Sequence, residues 1–314
     1  MRHFPVMQRG VALILVLWVT ILLTVIAGGF ALAMRTDMQV VQNSVAMARA
    51  EAAANAGVHR ALLELFKPPS DAERWQADGQ AHEITLAGAK VTVSALDESG
   101  KIDINAAAIE LLKGLFLSAG VKDEEAAALV DAVQDWRDAD NLRRLNGAEE
   151  PEYRAAGLKY KPANAPFQTI DELQLVLGMK PEIYRGIAGV ITVYARQPGL
   201  NAAIASRAAL LAIPGATAEL VDGYIAQREA ARAGKQPVAL FPPAARFAGV
   251  SYNLAHSLRA EARLEDGTVF VREAVAQILP DPRRPYTFLA WKDAVPVSSQ
   301  SMNDKSTEDD VQLK

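Results

Sequence analysis

The sequence predicts an α+β protein in which a long N-terminal helix packs on a small antiparallel sheet. A large all-helical domain is inserted between two strands of that sheet. Three observations carry this prediction. The first 66 residues contain an uncharged run and then helix-forming sequence without proline until Pro68. Short alternating strands occur near both ends of the remaining chain, and the stretch between them is rich in Ala and Leu at helical spacing.

The N-terminal run is long enough to span a membrane. Val11 to Met34 is 24 uncharged residues, about 36 Å as a helix against a hydrocarbon core of about 30 Å. Arg2 and Arg9 precede it, so the positive-inside rule predicts a single-pass inner-membrane protein with a cytoplasmic N-terminus and a periplasmic C-terminal domain. The alternative is a signal peptide cut after Ala31-Leu32-Ala33, but the run exceeds the usual apolar region of such peptides.

Helical periodicity continues beyond this run. Apolar residues recur every three or four positions, which predicts one helix over 11–66. Its first half, 11–34, is expected in lipid, and its second half, 35–66, is expected to pack on a folded domain. The residues of the stripe are Met34, Met38, Val41, Val45, Ala48, Ala52, Val58, Leu62 and Leu65.

The strands form two groups. EITLAG and KVTVSALDESGKIDIN alternate and carry turn signals at Ala87-Gly88 and Glu98-Ser99-Gly100, and Asp266-Gly267 marks a second hairpin. We therefore predict a sheet domain made of 67–105 and 246–288, interrupted by a helical domain at 106–245. The polar, acidic end of the chain predicts a disordered tail over 289–314.

The helical insertion contains a degenerate repeat in which two helices meet at a glycine corner, at Gly120, Gly178 and Gly215. Such corners raise the alternative of helix-hairpin-helix DNA binding. The usual second glycine is replaced by Lys122, Lys180 or Thr217, and the insertion holds 15 Lys and Arg against 17 Asp and Glu. DNA-binding surfaces normally show a basic footprint, so a packing role is favoured over nucleic acid as a partner.

One loop carries a candidate metal site. Five carboxylates lie within 15 residues, and Ca²⁺ takes six to eight oxygen ligands from such loops; they are Asp138, Asp140, Glu149, Glu150 and Glu152. The alternative is a solvated acidic loop partly neutralised by Arg137, Arg143 and Arg144.

Other chemistry has little support. The chain has no cysteine, which excludes disulfides, thiol nucleophiles and thiolate metal sites. Its four histidines are too scattered to suggest a zinc site, and its net charge of −4 gives no reason to expect a polyanionic partner. None of the common hydrolase, metalloprotease or nucleotide-binding motifs occurs, so we do not expect an enzyme.

The short leader ending in Gly10, followed by an apolar helix, resembles type IV prepilins and type II secretion pseudopilins. That resemblance implies that a prepilin peptidase cleaves between Gly10 and Val11 and that Val11 is N-methylated. Most such proteins carry Glu at the fifth mature position, which here is Leu15. A carboxylate in lipid is costly unless it pairs, and in pilins it is thought to pair with the terminal amine of the next subunit below.

Absence of that Glu is typical of the minor pseudopilin called general secretion pathway protein K. The segment WRDADNLRRLNGAEEPEYRAAGLKYKPANAPFQTIDEL also resembles this family, at Trp136, Asp138, Asp140, Asn146-Gly147-Ala148-Glu149, Tyr153, Pro162, Asn164, Pro166-Phe167 and Glu172-Leu173. Calcium binding in the helical domain is implied as well.

The resemblance implies a role in assembly for protein export across the outer membrane. We expect a pilin-like subunit at the tip of the type II secretion pseudopilus that helps to initiate and cap it. Its expected partners are other minor pseudopilins, the major pseudopilin below, the prepilin peptidase and the inner-membrane secretion platform. The alternative is a membrane-anchored periplasmic binding protein that binds DNA through its helical hairpins.

Overall fold

The computed structural model describes residues 11–68, 70–71, 73–252 and 254–296. It begins with α1 (Val11–Phe66), an unbroken helix of 56 residues, which confirms the predicted single helix. Ala, Leu and Met are strong helix formers, and no proline lies inside the segment. The predicted leader, 1–10, lies outside the described residues.

Five antiparallel strands form the main sheet: β1 (Asp78–Leu86), β2 (Ala89–Asp97), β5 (Ala255–Arg263), β6 (Val269–Ile278) and β7 (Tyr286–Ala294), in the order β1-β2-β5-β6-β7. Ala87 and Gly88, both at positive φ, join β1 to β2, as expected of a tight hairpin turn. Gly267, at φ 88°, turns β5 into β6. The predicted interruption of the sheet is thus confirmed, with β2 and β5 as neighbours.

One face of α1, from Ala50 onward, packs on β2, β5 and β6. Small residues line both sides of the contact. A Cβ added at Gly57 would lie 2.9 Å from Val91 Cγ1 and 3.0 Å from Ala260 Cβ, so glycine permits this close approach. We call this cluster the sheet core: Ala53, Ala54, Val58, Ala61, Leu62, Leu65, Ala89, Val91, Val93, Ala95, Leu258, Ala260, Ala262, Ala274 and Ala276.

The insertion leaves and rejoins the sheet at neighbouring points. Asp97, at the end of β2, is the register partner of His256 in β5. The same end of the sheet holds Tyr286, whose ring lies 6.2 Å from that of Phe66, the last residue of α1. The inserted domain therefore emerges at the sheet end farthest from the N-terminal half of α1.

The insertion is mainly helical, with α2 (Ile109–Ser118), α3 (Asp123–Arg137), α4 (Glu150–Ala155), α5 (Pro181–Ile187), α6 (Arg207–Leu211) and α7 (Ala218–Ala233). The corner glycines, Gly120, Gly178 and Gly215, all have φ between 83° and 87°. This conformation suits glycine at a helix end and agrees with the predicted corners.

The prediction of an all-helical insertion at 106–245 is wrong in detail. Strand β4 (Ile191–Thr192) lies inside it and pairs in parallel with β3 (Ile102–Asp103). Residues Ile170–Leu175 form a 3₁₀ turn in place of the predicted α-helix. Two-residue strands are too short to leave a periodic pattern, so they could not be predicted from the sequence.

The predicted tail boundary at residue 289 is also wrong. Strand β7 continues to Ala294, and the rings of Phe288 and Trp291 lie 5.8 Å and 6.0 Å from that of His59 on α1. Aromatic packing and pairing with β6 hold this strand in place despite the polar sequence that follows it. Residues 297–314 of the predicted tail lie outside the described residues.

Candidate functional site

Helix α1 is the one helix among the described residues that is long and apolar enough to span a membrane, with a mean hydropathy of 2.6 over its most apolar window. None of that window is buried by the rest of the chain, as expected of a helix whose first half lies in lipid. Leu15, at the position where pilins usually carry Glu, is 61% exposed. Val11 begins the helix, and Gly10 lies outside the described residues, so the predicted cleavage stays a prediction.

The part of α1 beyond the predicted lipid segment divides in two. Residues from Ala50 onward pack on the sheet, whereas most of 35–48 is exposed. The predicted packing of the whole stretch 35–66 is therefore wrong for its first part, because the sheet does not reach that far along the helix. We call 35–48 the exposed helix segment; its apolar side chains are Met38, Val40, Val41, Val45 and Met47.

One face of this segment, which continues to Glu51, carries side chains at helical spacing: Val40, Asn43, Ser44, Met47, Ala48 and Glu51. This face combines apolar side chains with two small ones, Ser44 and Ala48, that allow another backbone to approach. An amphipathic helix from a partner fits such a surface better than a small polar ligand would.

The acidic loop, residues 138–152, brings three of the five predicted carboxylates together. Carboxylate oxygens of Asp138, Asp140 and Glu149 all lie within 4.8 Å of one another. Glu150 instead pairs with Arg154 at 2.5 Å and Lys161 at 3.5 Å. Glu152 accepts a hydrogen bond from the Glu149 N–H and pairs with Arg143. The last two residues are therefore not brought into the cluster.

The cluster is short of positive partners. Glu149 is 3% exposed, and its Oε1, like Asp138 Oδ1, has no hydrogen-bond partner among the described residues. Burial, together with the charges of Asp135 and Asp138, raises the pKa of Glu149 to about 7. Burial and the neighbouring Asp140 likewise raise the pKa of Asp138. Buried oxygens that lack donors are what a hard cation requires, so the residues present fit Ca²⁺.

Asn164 is hydrogen-bonded to the acidic loop, although the sequence did not identify it as a ligand. Its Nδ2 donates to Asp140 O and Asn141 Oδ1, both at 2.8 Å. Its own Oδ1 is buried and has no donor within the described part of the chain. The amide thus fixes the loop with one end and offers a free oxygen with the other.

Asp135 is the main residue that sequence reasoning missed. It is fully buried on α3, where it accepts the backbone N–H of Arg144 at 3.2 Å. A Cβ added at Gly147 would lie 2.0 Å from its Oδ2, so the loop folds tightly around this carboxylate. Its place within an otherwise regular amphipathic helix gave no sign of burial.

Two of the three predicted neutralising arginines contact loop carboxylates. Arg143 pairs with Glu152, and Arg144 lies 3.6 Å from Asp135 and 3.8 Å from Asp138. Arg137 instead donates to the carbonyl of Ile104 and to Gln134 Oε1. The loop is therefore partly neutralised, as the alternative interpretation expected, but the three-carboxylate cluster has Arg144 alone at ion-pair distance among the described residues.

The helical corners have the wrong charge for phosphate. Asp123, Glu124 and Glu125 occupy the first turn of α3, Glu182 that of α5 and Glu219 that of α7. Phosphate binding at a helix N-terminus needs free N–H groups and a positive potential. An acidic first turn at each of these three helices favours the packing role over DNA binding.

Comparison with known proteins agrees with this architecture. Residues 89–199, which include the acidic loop, match the family model described as Type II secretion system (T2SS), protein K. The type II secretion system protein K of Klebsiella pneumoniae is 29% identical over 230 residues, 65% of this chain and 69% of that protein. The protein of the same name from Pseudomonas aeruginosa is 27% identical, over 68% of this chain and 72% of its own.

A solved structure shares the fold. A chain in the crystal structure of the GspK-GspI-GspJ complex from the enterotoxigenic Escherichia coli type 2 secretion system superposes with a TM-score of 0.56. The match covers 84% of this chain and 99% of that one, at 15% identity. The long helix, the interrupted sheet and the helical insertion thus form a fold already seen in a secretion complex.

Proposed function

We infer that the chain belongs to the type II secretion system protein K family of minor pseudopilins, and from this premise we propose that it occupies the tip of the pseudopilus, where it helps to start and to cap assembly. Its role is assembly of an export machine rather than catalysis. The proposed location is the inner membrane, with the N-terminus cytoplasmic and the sheet and helical domains periplasmic.

The position of the inserted domain carries this proposal. It emerges at the sheet end farthest from the N-terminal half of α1, which is the end where a further subunit would have to be added above. About 140 residues at that point leave little room for such a subunit. Leu15 adds a second reason, because a subunit without the usual Glu lacks the carboxylate that would pair with a subunit below.

The exposed helix segment supplies the lateral contact. Its apolar side chains are exposed among the described residues of this chain, and the small side chains of Ser44 and Ala48 on the same helix let a second helix approach closely. We propose that helices of other minor pseudopilins occupy it. The E. coli structure is itself a complex of GspK with GspI and GspJ, which makes related subunits the first partners to test.

Cysteine cross-linking in cells tests this arrangement. The chain has no native cysteine, so Val41→Cys introduces a unique thiol. We expect cross-links to cysteines in minor pseudopilins and none between copies of this chain. Leu63→Cys, on the exposed side of the packed part of α1, serves as a control of equal accessibility. Cross-links distributed along the major subunits of the filament would contradict a tip position.

We also propose that the acidic loop holds one calcium ion through Asp138, Asp140 and Glu149, with Asn164 contributing its free oxygen. The ion would supply positive charge to the cluster and tie the loop to Asn164. Chelator titration of the full chain in detergent tests this. We expect calcium to raise the melting temperature and Asp138→Asn to abolish the rise, while Glu150→Gln, outside the cluster, retains it. A melting temperature indifferent to calcium would overturn the site.

Processing can be tested separately. Mass spectrometry of the mature protein should find an N-terminus at Val11, N-methylated, in cells with prepilin peptidase and an intact leader in cells without it. A start at Met34 would instead indicate a cleaved signal peptide. An unchanged Met1 in both cells would leave a plain anchor.

A further inference from the structure

We propose that Arg144 is an internal counter-ion that competes with calcium for the acidic loop, so that metal binding displaces its side chain into solvent. This inference rests on the calcium site proposed above. It assigns a role to a residue that is not a ligand, and it predicts that removing a positive charge will have opposite effects on the metal-free and the metal-bound protein.

The first observation is position. The Arg144 guanidinium lies 3.8 Å from Asp138 Oδ2, one of the three clustered carboxylates, and 3.6 Å from the buried Asp135 behind them. No other cation within the described ranges comes within 4.0 Å of Asp138, Asp140 or Glu149. Because arginine does not lose its proton in proteins, this charge is present whenever the side chain lies there.

The second observation is the unfilled bonding capacity beside it. Glu149 is 3% exposed, and its Oε1 has no donor in the described part of the chain, as is also true of Asp138 Oδ1. Arg144 therefore neutralises part of the charge without satisfying these oxygens. A dication in contact with the same carboxylates would repel the guanidinium at such distances, so each weakens the binding of the other to the cluster.

The third observation is that the side chain can leave while the loop stays. Arg144 is held at its backbone, where its N–H donates to Asp135 and its carbonyl accepts the N–H of Gly147. Its side chain is 42% exposed. Displacement of the guanidinium thus requires a rotamer change on the surface, without rupture of the backbone hydrogen bonds that fold the loop.

Arg143 provides a matched control one residue away. It is also a loop arginine with an exposed side chain, but it pairs with Glu152, which lies outside the cluster. Its removal changes the net charge of the protein by the same amount. A difference between the two variants therefore reports position and not overall charge.

The experiment is calcium titration by calorimetry of the full chain in detergent, after divalent ions have been removed. We expect Arg144→Gln to bind calcium at least about tenfold more tightly than the wild type and to melt at a lower temperature without metal. Arg143→Gln should bind within about twofold of the wild type, and Arg144→Lys, which keeps the charge, within about threefold.

Several results would overturn the proposal. Unchanged or weaker calcium binding by Arg144→Gln would show that Arg144 supports the site instead of competing for it. An equal increase in the calcium affinity of Arg143→Gln would show that the effect comes from the net charge of the protein and not from the position of Arg144. Calcium binding by neither the wild type nor Arg144→Gln would overturn this inference together with the calcium site, whereas equal binding by both would overturn the inference alone.

A second measurement uses the wild-type chain and needs no variant to fold. Phenylglyoxal reacts with accessible guanidinium groups, and the labelled arginines can be mapped by mass spectrometry. We expect calcium to raise labelling of Arg144 several-fold and to leave Arg143 unchanged. Labelling of Arg144 that does not respond to saturating calcium would contradict its displacement.

Discussion

In the sheet core, α1 lies against β2 and β5 with glycine and alanine at the contact, and apolar side chains from both surfaces are buried together. In the acidic loop, a buried carboxylate on α3 holds the backbone of the loop, and neighbouring carboxylates crowd one another. The first region is stabilised by burial of apolar surface. The second is stabilised by hydrogen bonds to charges whose mutual repulsion opposes folding. The two regions should therefore respond differently to side-chain volume, to cations and to pH.

The largest effect is expected where the sheet core leaves no space. Gly57→Val would place methyl groups against Val91 and Ala260, which already lie 2.9 Å and 3.0 Å from the position of an added Cβ. Overpacking of this kind costs about 1–3 kcal/mol for added methyl groups, and we expect the upper end or more, measured by urea unfolding of the chain in detergent. Gly223→Val, on α7 with no neighbour within 4 Å, is the control and should change stability little. Equal effects would show that the contact of α1 with the sheet is loose.

The next effect belongs to the acidic loop. In Gly147→Ala the new methyl group would lie 2.0 Å from Asp135 Oδ2, and Asp135, being fully buried, has no room to move away. We expect a loss of about 2–3 kcal/mol, because the carboxylate must give up hydrogen bonds while buried. The calcium-dependent rise in melting temperature should be lost as well. Gly189→Ala, whose added Cβ would have no neighbour within 4 Å, should retain both the stability and the calcium-dependent rise in melting temperature. Wild-type values of both in Gly147→Ala would mean that Asp135 does not determine the conformation of the loop.

A smaller effect tests whether the sheet includes β7. The Trp291 ring meets that of Phe288 edge to face, with the centroids 4.7 Å apart, and the Arg272 guanidinium lies 5.1 Å from the Trp291 centroid, while Trp291 remains partly exposed. Trp291→Ala should cost about 1–2 kcal/mol through lost aromatic and cation–π contacts, seen as a lower midpoint of thermal unfolding. Tyr252→Ala, at a more exposed aromatic residue, should have a much smaller effect. An unchanged unfolding midpoint in Trp291→Ala would indicate that β7 does not stabilise the sheet and would support a tail that begins at residue 289.

The last expected effect is that of pH. The pKa of Glu149 is raised to about 7 in the folded metal-free chain, above its ordinary value near 4.3 in an unfolded one. The stability linked to its proton is therefore fully present at low pH and is lost as the pH rises through 7. With chelator present, the melting temperature should fall between pH 5.5 and 8, and Glu149→Gln should flatten this slope. Calcium affinity of the wild type should rise over the same range, because protons compete with the metal; identical slopes in both proteins would refute the assignment.

More of the sheet core than of the acidic loop could be predicted from the sequence, because the two regions differ in their sequence patterns. Helical spacing of Val58, Leu62 and Leu65, and strand alternation around Val91 and Val93, are periodic signals that report burial directly. The acidic loop has no period. Its composition pointed to a cation, but nothing in the order of residues separated Glu149, which joins the cluster, from Glu150, which pairs with Arg154.

Long-range contacts explain the other differences. Asp135 is buried because the loop that follows α3 folds back over it through Arg144 and Gly147. Strand β4 pairs with β3, and the Ile102 N–H donates a hydrogen bond to the carbonyl of Val190. Both depend on where distant segments meet, which local propensity does not encode. Strand β7 was missed for the same reason, because its aromatic residues pack on His59 of α1, which is distant in the sequence.

The pairing of Asp97 with His256 makes the inserted domain modular. Because β2 and β5 are adjacent antiparallel strands, the segment that joins them could be replaced by a tight turn without breaking any strand pair of the five-stranded sheet. A change in the size or surface of the inserted domain would therefore leave the register of β2 with β5, and with it the sheet that packs on α1, unchanged.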